Sequence, residues 1–235
     1  MTSLSELRFF TTPAHDCSYL DDRQAITLFV DPLARIDTDM YSSLSAVGFR
    51  RSGNHIYRPY CQTCTACIPV RIPVAKFQPK RRHNRVLNKN DDVVIKKVPP
   101  SVNDEYFGLY KRYIDVRHAD GDMYPAEIEQ FESFLVDGRP EAIFFEFRVK
   151  RDLLAIAVAD KLNDGLSAIY TFFDPEKEGR SPGVLAVLHL IRETQRLKLD
   201  YLYLGYWIKQ CHKMNYKMDY KPTELYVNNH WIPVY

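Results

Sequence analysis

Three cysteines stand three residues apart in the stretch "RPYCQTCTACIPVRIP", Arg58 to Pro73: Cys61, Cys64 and Cys67. Thiolates at such spacing are soft metal ligands. With Cys17 upstream they make a candidate four-thiolate set for zinc or an iron–sulfur cluster. A disulfide framework and a pocket lined by thiols are the competing readings. Five cysteines, an odd number, do not close a disulfide set. The start, "MTSLSELRFF", lacks a basic region leading into an apolar run, so no leader is expected. No apolar stretch approaches a membrane span. The expectation is a cytoplasmic chain with reduced thiols. Against metal, Pro59 and Pro69 favour extended backbone that spreads the thiols, and no fourth cysteine followed by proline completes a ferredoxin-type run. Reduced structural thiols are the favoured reading, with no cofactor required. Bound zinc or an iron–sulfur cluster is the alternative.

The second chemistry-bearing group is cationic. "KFQPKRRHNRVLNKND" collects Lys76, Lys80, Arg81, Arg82, Arg85 and Lys89. The whole chain carries a formal net charge of only +2, so a general affinity for polyanions is not implied. One dense patch on a near-neutral chain suits a localised acidic partner such as a phosphate backbone, against the plain reading of a solvated helix face. The tail "CHKMNYKMDYKP" interleaves Lys213, Lys217 and Lys221 with Tyr216 and Tyr220, the pattern of phosphate contact with ring stacking. Its plain reading is a solvated tail. Cys211 reads as a small buried hydrophobe.

These groups need elements to hold them. With 46% hydrophobic and 26% charged residues, the chain can bury a core. "AITLFVDP" reads as a strand and "DTDMYSSLSAVG" as a helix stopped by Gly48. "NHIYRPY" and "CIPVRIPVAKF" read as extended. Pro99-Pro100 marks a boundary between a cysteine-bearing region, 1–98, and a second unit, 99–235. In that unit a helix capped by Ser101 carries Phe107, Tyr110, Tyr113 and Ile114 on one face. A second helix follows, with Pro125 in its first turn and Gly138 as its stop. Three strands come next: "EAIFFEFRV", "LLAIAVADKL" and "LSAIYTFFDP", the last two joined at Asn163-Asp164-Gly165. "VLAVLHLIRETQRLKL" is an amphipathic helix and "YLYLGYW" a strand. The order predicts an α/β fold, an acetyltransferase-like (GNAT-type) mixed sheet flanked by helices, after an irregular N-terminal subdomain. In such folds the turn "FFDPEKEGRSPG", leading to a helix near Pro182, is an anion site built from free N–H groups, here with Arg180 adding charge. Only Gly179 and Gly183 are present, so no glycine-rich coenzyme A loop is formed.

Four segments, "LGYWIKQCHKMNYKMDYKP", "CQTCTACIPVRIPV", "HDCSYL" and "AIYTFFDP", resemble the arginyl-tRNA–protein transferase family, and most of all its bacterial branch. The resemblance runs from Cys17 to about Pro222. It implies transfer of an aminoacyl group, leucine in that branch, from charged tRNA to the N-terminal amine of proteins beginning with Asp or Glu, which marks them for degradation. The implied partners are leucyl-tRNA and those proteins. Arginine as donor, and an RNA-binding or iron–sulfur module without transferase activity, are the alternatives; a coenzyme A acyltransferase lacks its loop. Eukaryotic members carry paired cysteines as metal ligands, and here Leu20 and Ala66 stand where partner cysteines belong.

Aminoacyl-tRNA is an activated ester, so the reaction needs alignment, a proton acceptor and oxyanion stabilisation. Tyr170 and Asp174, four apart on one strand, are the catalytic candidates, against a core tyrosine and a turn-forming Asp-Pro. Arg58 and Arg71 are candidates for the carboxylate of the acceptor protein, against structural ion pairs. Lys76, Lys80, Arg81, Arg82, Arg85, Arg180, Lys213 and Lys217 are the candidate tRNA contacts.

Overall fold

A computed structural model describes residues 6–121 and 123–235; the first five residues of the start examined for a leader lie outside the described residues. In chain order the strands are β1 (Phe9–Thr11), β2 (His15–Asp16), β3 (Gln24–Ala25), β4 (Thr27–Val30), β5 (Arg50–Ser52), β6 (His55–Pro59), β7 (Ile68–Pro73), β8 (Val93–Val98), β9 (Ala142–Val149), β10 (Asp152–Lys161), β11 (Gly165–Phe173), β12 (Tyr201–Trp207), β13 (Thr223–Val227) and β14 (His230–Val234). The helices are α1 (Thr38–Ala46), α2 (Arg81–Lys89), α3 (Asp104–Arg117), α4 (Ile128–Phe131), α5 (Pro182–Arg196) and α6 (His212–Asn215).

The fold is a mixed α/β structure around an eight-stranded sheet in the order β14-β13-β7-β12-β11-β10-β9-β8. Its neighbours are antiparallel except β11 and β12. Both faces are covered, so β10 reads as a continuous apolar run and not as an alternation. Phe145, Ala157 and Leu166 point to α5, whose Leu185, Leu188 and Ile191 are buried against them. Phe144, Ile156 and Phe172 point to α3 and α4. A smaller sheet, β1-β4-β6-β5, packs with α1 around Tyr41, Leu44 and Phe49, and shares that core with Leu162, just past β10, and with Tyr203 of β12.

Local differences from the sequence reading have local causes. The cap of α3 is Asn103, whose side chain accepts from the N–H of Tyr106 at 2.9 Å, and not Ser101. The second helix begins at Ile128, past Pro125, and continues from α4 as a π-turn over Glu132–Val136. The C-terminal segment is not a loose tail, because β13 pairs with β7 and β14 with β13. The division expected after residue 98 falls between β8 and α3, while β7 and β8 both lie in the same large sheet as β9–β14.

Candidate active site

The parallel pair β11–β12 runs in register only from Gly165 opposite Tyr201 to Ser167 opposite Tyr203. Beyond it the two strands part. Each has a bulge just past the last rung. On β11 the register with β10 shifts between Ala168 and Tyr170, and on β12 the register with β7 shifts between Tyr203 and Gly205. Bulges bend a strand and sharpen its twist, so two of them at one level open a V-shaped cleft toward the carboxyl ends. Gly205 sits at φ +79°, a conformation that costs glycine little.

Arg50 of β5 fills the apex. Its guanidinium donates to Ser167 Oγ at 2.6 Å and to the Ala168 carbonyl, which β12 no longer reaches. On the β11 wall, Tyr170 lies among the rings of Tyr113, His118 and Phe134. Its hydroxyl is buried without a hydrogen-bond partner. Burial pushes this phenol far above its ordinary range, with Tyr113 and Tyr110 adding to it. On the β12 wall, the Tyr206 hydroxyl donates to the Gly48 carbonyl at 2.8 Å. Lys217 is buried there too. Its Nζ donates to the Tyr206 carbonyl at 2.7 Å and lies 3.1 Å from Met214 Sδ. Loss of hydration first, and the charge of Arg50 second, bring this ammonium down to about 7.

The third wall comes from the N-terminal half. Tyr19, Tyr57 and Cys67 face Tyr206, and burial raises both phenols. The Cys67 thiol is pushed up to about 12, first by burial and then by the thiols of Cys17, Cys61, Cys64 and Cys211 around it. All five cysteines are free and half-buried. They gather, but no group of three or more His, Cys, Asp or Glu among the described residues is placed to hold one metal ion. Beyond the open end of β11, α5 starts at Pro182 with its first-turn N–H groups lacking intrahelical acceptors.

Two family models match the chain: "Arginine-tRNA-protein transferase, N terminus" over residues 15–85, and "Arginine-tRNA-protein transferase, C terminus" over residues 105–227. The chain belongs to the arginine-tRNA-protein transferase family. It is 57% identical over 232 residues to an aspartate/glutamate leucyltransferase of Pseudomonas aeruginosa (strain LESB58), covering 99% of each chain. It is 55% identical over 231 residues to that of Alcanivorax borkumensis, covering 98% of this chain and 96% of the other. Among solved structures, the C-terminal domain of a putative lysylphosphatidylglycerol synthetase from Agrobacterium fabrum matches with TM-score 0.49 and 12% identity, over 82% of this chain and 62% of that one. Full-length relatives with this transferase name make the family member an enzyme.

The residues singled out from the family pattern are distributed unevenly over this site. Tyr170 lines the cleft. Asp174 follows the last residue of β11 and accepts from the Glu176 N–H at 3.0 Å, capping a turn, and no hydrogen bond joins it to Tyr170. Arg71 is committed elsewhere: it pairs with Glu224 at 2.7 Å, between the rings of Tyr201 and Trp231 at 3.5 and 4.2 Å. Arg58 lies over Phe49 at 5.0 Å. Lys76, Lys80, Arg81, Arg82, Arg85 and Lys89 are all exposed. Of these Arg82 pairs with Asp219 at 2.9 Å, and Lys89 donates to the Gly179 carbonyl. Arg180 pairs with Asp92 and Lys213 with Asp120. Lys217, read from the sequence as a phosphate contact with a solvated tail as the plain alternative, is interior. The reading from sequence missed Arg50, Tyr57 and Tyr206. One signal pointed toward them: a glycine inside the strand "YLYLGYW" marks a bulge or a close approach.

Proposed function

We propose that the chain transfers leucine from leucyl-tRNA to the N-terminal amine of cytoplasmic proteins that begin with Asp or Glu, marking them for degradation. The observation that carries the chemistry is the parting of β11 and β12 into a cleft walled by aromatic residues, with the start of α5 at its open end. Parted parallel strands followed by a helix N-terminus favour an acetyltransferase-like reading of the mixed sheet. The 3′ end of tRNA takes the place that coenzyme A has in such folds, since the first-turn N–H groups of α5 suit the phosphodiester that precedes its last nucleoside. Exposed Lys76, Lys80, Arg81 and Arg85 extend a cationic surface along α2 for the acceptor stem.

The neutral amine attacks the ester carbonyl, the carbonyl oxygen becomes an oxyanion, and the bond to the tRNA 3′ oxygen breaks. The amine loses a proton and the leaving oxygen gains one, so the step needs no net acid or base. Tyr170 stays protonated at neutral pH and acts as a donor toward the developing oxyanion or the leaving oxygen, and not as a base.

The test is reconstitution with leucyl-tRNA synthetase, tRNA, leucine and ATP. A peptide beginning with Asp or Glu should become leucylated and one beginning with Ala should not. Arginyl-tRNA in a parallel reaction should be a poor donor. Labelling from an acyl-coenzyme A without tRNA would overturn the reading. Tyr170→Phe should lower kcat by about 10- to 1,000-fold while leaving the affinity for leucyl-tRNA in place.

A further inference from the structure

Among the described residues the buried charges are paired, with two exceptions. Asp31 pairs with Arg8, Arg51 with Asp160, Arg71 with Glu224, Glu146 with Arg148 and Glu193 with Arg196, all at 2.6–2.9 Å. Arg50 and Lys217 are as buried, at 8% and 4% exposure, and no carboxylate among the described residues pairs with either. Arg50 spends two hydrogen bonds on Ser167 and Ala168. A guanidinium has five N–H donors, so the fork retains capacity. Asp160, opposite Ser167 in the ladder, is not available: Arg51 holds both of its oxygens and Tyr41 donates to one.

The two cations converge on one place. A Cβ on Gly205 would lie 3.5 Å from Arg50 Nε, and Lys217 Nζ is bonded to the carbonyl of the next residue, Tyr206. The Arg50 charge is felt at Lys217. Two buried cations near one another, without a carboxylate partner among the described residues, are costly, and an anion between them offsets that cost.

We propose that Arg50 and Lys217 form the site for the side-chain carboxylate of the acceptor protein's N-terminal Asp or Glu. This rests on the transferase reading above and moves carboxylate recognition away from Arg71 and Arg58. The spacing suits it. Arg50 is anchored at Ala168, two residues before Tyr170 on β11, which is ~7 Å along a strand. A carboxylate held at the apex therefore leaves the amine of the same residue near Tyr170, where the ester is attacked. The cations also favour the neutral form of that amine.

The test combines binding and transfer. Peptides identical except for an N-terminal Asp or Asn are titrated calorimetrically into the wild type, Lys217→Met and Arg50→Lys, with folding checked by circular dichroism. Acceptor KM values are measured with leucyl-tRNA at saturation. The wild type should bind the Asp peptide selectively. Both variants should weaken Asp binding by about 10- to 100-fold and leave Asn and leucyl-tRNA affinities within about twofold. Arg50→Lys keeps the charge but loses the fork, so it separates recognition from mere strand spacing. Absence of Asp selectivity in the wild type, or its retention in both folded variants, overturns the assignment. Selective binding that the variants lose, with no leucine transfer by the wild type, sustains the assignment and sinks the reaction instead.

Discussion

Lys217 holds an ammonium in a place that disfavours it, and this has a thermodynamic signature. Its folded pKa is about 7, below the unfolded value of 10.5. Between those values the unfolded chain binds the extra proton, so this residue makes stability rise as pH rises from about 7 toward 10. Below pH 7 its penalty is fully present, on the order of a few kcal/mol. Lys217→Met should abolish that slope. The variant also loses the bond to the Tyr206 carbonyl, a cost of about 1–3 kcal/mol that does not depend on pH. Urea unfolding at pH 7.0, 8.0 and 9.0 checks this, read as the difference between variant and wild type. A difference that stays constant across that window would show that the amine is hydrated and titrates normally. None of this was legible in "KMNYKMDYKP", where polar residues crowd the lysine. Its burial depends on a carbonyl turned inward by the bend of β12, which local sequence does not encode. The thiols were more legible: their odd number argued against a closed disulfide set, but their gathering around Cys67 from positions 17 to 211 comes only from the fold.

At the scale of elements, the basic segment was read as a helix only in its plain form, a solvated face; Val86 and Leu87 of α2 pack against the core. What the sequence could not distribute was which cations are free. Arg82 is tied to Asp219, whereas Arg81 and Arg85 are exposed on the helix with no ion pair among the described residues. Replacing both with Glu should weaken leucyl-tRNA binding and reduce the log–log salt dependence by roughly two units, about 0.7–0.9 per lost phosphate contact. Arg82→Glu alone also disturbs the 216–220 turn through Asp219, so its effect should appear partly in stability. Filter binding from 50 to 300 mM salt is the measurement. An unchanged slope in the folded double variant would leave α2 a solvated face. Helix α5 was legible from its period, and strands β9–β11 from apolar runs bounded by turn residues. The hairpin β13–β14 was not, since its residues become strand by pairing with β7 and carry little apolar alternation of their own.

For the whole molecule, the question is whether the two halves visible in the sequence are separable. Pro99-Pro100 looks like a boundary, and the family models also leave residues 86–104 between them. The sheet ignores that break. β7 lies between β12 and β13, so it supplies the partner for Tyr201–Trp207 on one side and for Glu224 and Leu225 on the other. β8 covers the outer edge of β9. The third wall of the cleft, with Tyr19, Tyr57 and Cys67, and Arg50 at its apex, also belongs to the first half. Removing residues 1–98 would take Val70 and Ile72 out of the core, leave the backbone of β12 unpaired on one edge, and leave β13–β14 as an isolated hairpin, which is marginal in water. The chain should therefore unfold as one cooperative unit. Residues 99–235 expressed alone should show little tertiary near-ultraviolet circular dichroism and rapid amide exchange in β12 and β13, while the full chain gives one transition by both near- and far-ultraviolet signals. A 99–235 fragment that melts cooperatively, with β12 amides protected as in the full chain, would show that the second half builds its own sheet and that β7 is an accessory strand.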